Sequence, residues 1–202
     1  MRLRSAGECG VLVELDDLAG VHRLAAAVRT ARLAGVVDVV PGYRTVLVTT
    51  SDPDALADVR GALPALALPD VHSARGRLVE VPVVYDGADL PEVCRLTGLT
   101  SEEVVARHTA VEYVVAFLGF TPGFPYLVGL DPALHVPRRA TPRTAVPAGA
   151  VGLAGDQTGV YPIASPGGWQ LIGRTDAVLF DPRRDPPALL APGDRLRFVA
   201  AS

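Results

Sequence analysis

The apolar positions of this chain change rhythm near its middle. Residues 11–15, VLVEL, form a short apolar run of strand character. Behind Asp16 and Asp17, either of which can cap a first helical turn, Leu18, Val21, Leu24, Ala25 and Val28 recur at helical spacing. Gly35 stands where a left-handed helix stop is expected. Residues 36–40 and 45–49 predict two strands paired around a Pro41-Gly42 turn. Ser51-Asp52-Pro53 then opens a second helix, with proline at its favoured first position. The order β-α-β-β-α predicts a small α/β sandwich of the split β-α-β kind. Residues 63–77 carry Pro64, Pro69 and Gly76 and read as a linker, dividing the chain into domains 1–77 and 78–202.

The second domain begins with a predicted strand over 78–85 and a short helix over 89–96. Thr100-Ser101-Glu102-Glu103 is a capping-box pattern that starts another helix, running to about His108. Residues 111–118 are apolar enough for a buried strand. Beyond Gly119, prolines and glycines recur every few residues through Thr175. Proline removes a backbone donor and glycine opens unusual dihedrals, so this block predicts short strands and shaped loops of a barrel or sandwich. Phe120, Phe124, Tyr126, Tyr161, Trp169 and several arginines lie among these breakers, the make-up of a binding surface.

Composition narrows the function. Of 202 residues, 19 are basic and 22 acidic, a net charge of -3 that gives no basic face for nucleic acid. No apolar run reaches the roughly 18 residues needed to span a bilayer, and no signal-type segment follows the N-terminus. Cys9 and Cys94 stand alone, without metal-ligand or redox spacing, and read as buried apolar thiols of a cytoplasmic protein. The chain has neither lysine nor asparagine. Bound carboxylate or phosphate must therefore be held by arginine, backbone N–H groups or metal, and a P-loop lysine or lysine Schiff base is excluded.

Each candidate for chemistry has two readings. The 165–169 loop, SPGGW, can bring backbone close to a ligand through Gly167 and Gly168 and wall a pocket with Trp169, or it can be a tight turn over a core tryptophan. Arg138, Arg139, Arg143 and Arg174 are the best anion binders, because a guanidinium grips an oxyanion through two hydrogen bonds. A single arginine is by default solvated; Arg174, after an apolar strand, is expected at a buried strand end. His108 suits proton transfer near neutrality or a favourable place at a helix C-terminus. Gln157 and Tyr161 can bond a polar ligand or satisfy turn backbone. Glu112 and Asp156 are the nearest carboxylates, and neither has metal-ligand spacing.

The run from His108 through Tyr113 to GFTPGFPYL at 119–127 resembles the H…Y…GF-x-PGF-x-YL signature of the B-type 5-oxoprolinase subunit family. That family is also described as allophanate hydrolase subunit 1, KipI-type kinase inhibitor and carboxyltransferase domain C/D. The likeness continues through Pro137-Arg138, Pro142-Arg143, VPAG at 146–149, QTG at 157–159, Tyr161-Pro162, the 165–169 loop, 172–175 and Pro192-Gly193-Asp194. Ala150 departs from it, standing where a serine is expected. The resemblance implies an α+β protein: an N-terminal ferredoxin-like α/β sandwich and a C-terminal cyclophilin-like β-barrel. It implies a cytoplasmic component of an ATP-dependent 5-oxoprolinase that opens 5-oxo-L-proline, a lactam, to L-glutamate. The expected partners are a C-type subunit of homologous fold and a third, A-type subunit, with ATP the cosubstrate. Catalytic roles are then expected of His108, Gln157, Tyr161 and Arg174, with no metal. Substrate contacts are expected of Phe120, Phe124, Tyr126, Arg138, Arg143, Gly167, Gly168 and Trp169. The alternatives under the same resemblance are inhibition of a sensor histidine kinase and a subunit for an allophanate- or urea-related amide.

Overall fold

A computed structural model describes residues 1–70 and 76–201. The chain divides into two compact units, Met1–Arg75 and Gly76–Ser202. The predicted linker at 63–77 lies partly outside the described residues.

The first unit holds β1 (Arg2–Ser5), β2 (Gly10–Glu14), α1 (Leu18–Ala31), β3 (Val36–Pro41), β4 (Thr45–Thr50) and α2 (Pro53–Ala62). Its four strands form one antiparallel sheet in the order β1-β2-β4-β3. The helix starts follow from the sequence: the Asp17 carboxylate accepts from the Gly20 N–H at 2.7 Å, and Asp52 accepts from Ala55 at 2.8 Å. The helix stop does not. The left-handed cap of α1 is Arg32, with φ 46°, and Gly35 lies beyond it in the turn entering β3. The β2-α1-β3-β4 portion is the split β-α-β arrangement, with β4 between β2 and β3. The edge beside β2 is taken by β1, which comes before the core elements and gave no signal in the apolar pattern.

The second unit opens with β5 (Leu78–Val83), α3 (Leu90–Thr97) and α4 (Ser101–Thr109). The predicted capping box is complete: Thr100 Oγ1 accepts from the Glu103 N–H at 3.2 Å, and Glu103 Oε2 accepts from the Thr100 N–H at 2.8 Å. Strands follow: β6 (Tyr113–Leu118), β7 (Pro125–Val128), β8 (Arg143–Val146), β9 (Ala150–Ala154), β10 (Gln157–Val160), β11 (Ser165–Gly167), β12 (Gln170–Arg174) and β13 (Arg195–Ala200). Seven of these strands form a mixed sheet ordered β12-β9-β10-β7-β6-β13-β5, while β8 and β11 pair as a separate ribbon. The parallel neighbours are β5 and β13.

Val84, just after β5, bridges Arg174 on β12 through two backbone hydrogen bonds of 2.9 Å, which brings the sheet's two ends together into a nearly closed barrel. The approach there is too close for side chains. A Cβ at Gly173 would sit 2.6 Å from the Val84 carbonyl oxygen, and one at Gly87 would run into the backbone of Ile172. The barrel interior is filled by Val81, Val83, Tyr113, Val115, Leu127, Val151, Leu153, Val160, Ile172, Leu196 and Phe198. The architecture is therefore α+β, with a barrel-type sheet in the second unit. Among the described residues, no helix is long and apolar enough to cross a membrane. Cys9 and Cys94 are half-buried free thiols rather than core residues, and Cys94 Sγ lies 3.6 Å from Ser101 Oγ.

Candidate functional site

Strand alternation makes two faces out of β9 and β10. Val151, Leu153 and Val160 point into the barrel, while Ala150 and Ala154 join a second, outer cluster. Gly152 and Gly159 share that outer face and leave it bare of side chains, so aromatic rings lie directly on backbone. A Cβ at Gly159 would stand 3.1 Å from the Trp169 ring and 3.2 Å from Phe124; one at Gly152 would stand 3.1 Å from Trp169 Cβ.

Phe124, 1% exposed, is the hub of this cluster. Its ring meets Tyr161 at 5.1 Å, Tyr126 at 5.1 Å, Trp169 at 5.4 Å and Phe120 at 5.6 Å, mostly edge to face. Such pairs contribute about 0.5–1.5 kcal/mol each beyond area burial, so the cluster is rigid. Tyr126 also stacks on Phe117 at 4.6 Å. Gln157 shares the face of Gly159 on β10, opposite Ala154 on the paired strand β9. Five of the expected site residues thus come together here, Phe120, Phe124, Tyr126, Tyr161 and Trp169, with Gln157 on the same face of the sheet. Ala150 lies buried in the same cluster, where a serine hydroxyl would have needed a partner.

The β6–β7 hairpin presents Phe120 outward, 61% exposed, with φ 64°. A bulky residue in the left-handed region is held there against its own preference. The turn is closed by bonds from the Gly119 N–H to the Phe124 carbonyl at 3.1 Å and from the Phe124 N–H to the Thr121 carbonyl at 3.0 Å. Above the cluster runs the β8–β11 ribbon. A Cβ on Gly167 would collide with the Tyr161 hydroxyl, so glycine there is required by packing. The Gly168 carbonyl accepts from the Arg139 N–H at 2.8 Å, which ties the glycine loop to the arginine segment. Burial pushes the Tyr161 hydroxyl pKa up, partly offset by the Trp169 backbone N–H and by the charges of Arg138 and Arg143.

Beside this cluster is a buried ion network that the sequence pattern missed. Asp89 is 3% exposed. Its carboxylate accepts two bonds of 2.8 Å from Arg143, one of 2.7 Å from Arg139 and one of 2.7 Å from the Leu171 backbone N–H. Burial alone would raise its pKa, but the Arg143 and Leu171 hydrogen bonds and the charges of Arg143 and Arg139 outweigh that and hold it below the ordinary carboxylate value. Arg143 is therefore a structural clasp for an internal carboxylate, not a free anion binder. Arg138, exposed, makes no ion pair among the described residues. Next to it opens a cavity of about 490 Å³, lined by Arg138, Arg139, Ala140, Thr141, Gln170 and Leu96 among others.

Two expected residues lie elsewhere. Arg174 ends β12 as an exposed side chain and pairs with Asp86 at 3.0 Å, not at a buried strand end. His108 is fully buried on the inner side of the barrel. Its Nε2 lies 2.9 Å from Thr158 Oγ1 and its Nδ1 2.7 Å from the Tyr85 hydroxyl, while its ring stacks on Phe198 at 4.5 Å. Thr158 donates onward to the Gly152 carbonyl at 3.1 Å. The threonine proton is thus used, so His108 Nε2 carries the hydrogen and Nδ1 accepts from Tyr85. Burial pushes its pKa down to about 3. A neutral imidazole with both nitrogens engaged fastens the core; it is not a general base facing substrate. Glu112 is clasped by Arg195 and Arg197. Among the described residues, no cluster of His, Cys, Asp and Glu could hold a metal ion.

Comparisons with known proteins agree with this architecture. The family model for the carboxyltransferase domain, subdomain C and D, matches residues 1–190. A protein of Escherichia coli O157:H7 named as a B-type 5-oxoprolinase subunit is 48% identical over 204 residues, covering 96% of this chain and 93% of that protein. One of the same name from Bacillus subtilis (strain 168) is 41% identical over 200 residues, covering 90% and 82%. The crystal structure of TTHA0988 superposes with a TM-score of 0.85 at 41% identity, covering 96% of this chain. This chain spans 39% of the TTHA0988 chain. A buried aromatic cluster on a glycine-paved sheet, roofed by the SPGGW loop, is the setting of the signature's Phe120, Phe124 and Tyr126, while its His108 and Tyr113 lie in the barrel interior, and the chain belongs to the family of B-type 5-oxoprolinase subunits.

Proposed function

We propose that this chain is the B-type subunit of an ATP-dependent 5-oxoprolinase, hydrolysing 5-oxo-L-proline to L-glutamate together with C-type and A-type subunits in the cytoplasm. The observation that carries the reading is the 48% identity to the Escherichia coli protein over 93% of that protein's length. On the same reading the first unit is a ferredoxin-like sandwich whose fourth strand comes from the N-terminus, and the second is a cyclophilin-like barrel.

The chemistry sets a division of labour. A lactam carbonyl is unreactive, and ATP supplies a phosphoryl group that activates its oxygen for attack by water. The residues of this chain do not fit the nucleotide. It has no lysine, and Arg143 gives both of its terminal guanidinium nitrogens to Asp89. ATP is accordingly assigned to a partner. What this chain supplies is a preorganised surface: the aromatic cluster, the glycine loop and the Asp89-braced arginines. His108 and Arg143 act by holding that surface in place.

The test is reconstitution. With the C-type and A-type subunits, ATP and 5-oxo-L-proline, glutamate release is expected only when this chain is present. Undiminished glutamate formation in its absence would overturn the proposal.

A further inference from the structure

The cavity beside the arginines is built for more than a stray anion. Two positive charges around it are left uncompensated. Asp89 neutralises one of Arg139 and Arg143, Glu92 on the cavity wall is clasped by Arg95 at 2.7 and 2.8 Å, and Arg138 has no acidic partner among the described residues. Arg139 gives a single arm to Asp89 and keeps its buried Nε without an acceptor.

Gln170 is the second, independent sign. It lines the cavity yet is only 4% exposed. Its Nε2 donates to the Pro137 carbonyl at 3.2 Å, and because that carbonyl can only accept, the amide orientation is fixed. Gln170 Oε1 is left buried without a donor. A buried acceptor without a donor from the protein is costly to the fold. What it lacks is a hydrogen-bond donor, which an amide N–H supplies. A phosphate presents chiefly acceptors and leaves that need unmet.

From this the geometry points to a binding site for a small carboxylate bearing an adjacent amide N–H: Arg138 and Arg139 take the carboxylate, Gln170 Oε1 takes the N–H, and Leu96, Pro137 and Ala140 face the apolar part. Naming the ligand as a lactam acid such as 5-oxo-L-proline rests on the function proposed above. The volume of about 490 Å³ lies within the range of ordinary ligand clefts.

The sequence makes the test direct. The chain has no asparagine, and its glutamines are Gln157 and Gln170, so an ¹⁵N correlation spectrum of the full chain shows two side-chain amide pairs, assigned with Gln157→Glu. Titration with 5-oxo-L-proline is expected to shift the Gln170 pair saturably. 2-Pyrrolidinone, which lacks the carboxylate, and cyclopentanecarboxylate, which lacks the N–H, should each bind at least tenfold more weakly. Arg138→Ala, at an exposed position, should weaken 5-oxo-L-proline by a similar factor. Gln170 signals that stay still, or that respond equally to inorganic phosphate or 2-pyrrolidinone, overturn the site. The two readings fail separately. If the reconstituted enzyme turns over 5-oxo-L-proline but Arg138→Ala leaves KM unchanged, the site falls and the function stands. If the enzyme is inactive on 5-oxo-L-proline while N-acetylglycine moves Gln170 in the parent chain and not in the Arg138→Ala variant, the site stands and the function falls.

Discussion

Mild acid should loosen the barrel unit through one residue. His108 is held neutral by complete burial, its pKa pushed from 6.5 down to about 3. An unfolded chain takes up a proton at this histidine as pH drops below 6.5, whereas the folded chain does not. Its contribution is therefore fully present above 6.5 and is lost progressively on the way down to about 3. Linkage puts the loss between pH 7.5 and pH 5 at about 2 kcal/mol. The assay is urea unfolding followed by fluorescence of Trp169, the single tryptophan, which lies in the same unit. His108→Gln supplies the comparison: less stable throughout, since it loses the stacking on Phe198, but without this fall. His22, His72 and His135 are common to both proteins and drop out of the difference. A wild-type change below about 0.5 kcal/mol, or an equal fall in the variant, would refute the argument.

Two further outcomes follow from the site. Asp89→Asn leaves Arg139 and Arg143 half-buried without their counter-ion, and removing one partner of such a network costs about 3–5 kcal/mol, read as a lowered urea midpoint; an unchanged midpoint would show the network to be dispensable. Phe120→Gly should be more stable than Phe120→Ala by about 1 kcal/mol, because only glycine relieves the φ of 64°, and thermal melts of the two variants decide it.

Local signals were legible and distant ones were not. Asp17, Asp52 and the Thr100/Glu103 box cap their helices as read, because a cap depends on residues three apart. The aromatic and glycine residues of 119–169 announced themselves by rarity, although which ring met which did not. Asp89 showed only as a helix start; its arginine partners lie 50 and 54 residues on, a pairing set by the closing of the sheet and not by any period. His108 was ambiguous at a helix end, and the barrel around it decided the matter by burying it. Gly35 lost the stop role to Arg32, since one left-handed residue ends a helix wherever packing places it. Arg174 follows an apolar strand, which suggested burial, but Asp86 draws it to the surface.

The parallel pairing of β5 with β13 also sets a timetable for synthesis. Leu78 must wait for Arg195, 117 positions later. At about 5–20 residues per second, the ribosome leaves β5 without that neighbour for roughly 6–23 s. The antiparallel sheet of the first unit is finished far sooner, its central strands pairing Gly10 with Thr49. A nascent chain of this protein therefore carries a completed first unit ahead of a second whose apolar Val81 and Val83 are still uncovered. That interval is when a holdase or a nascent partner would find the most to bind, and shortening it by moving β13 ahead of β5 in a circular permutant should lower the demand for such help.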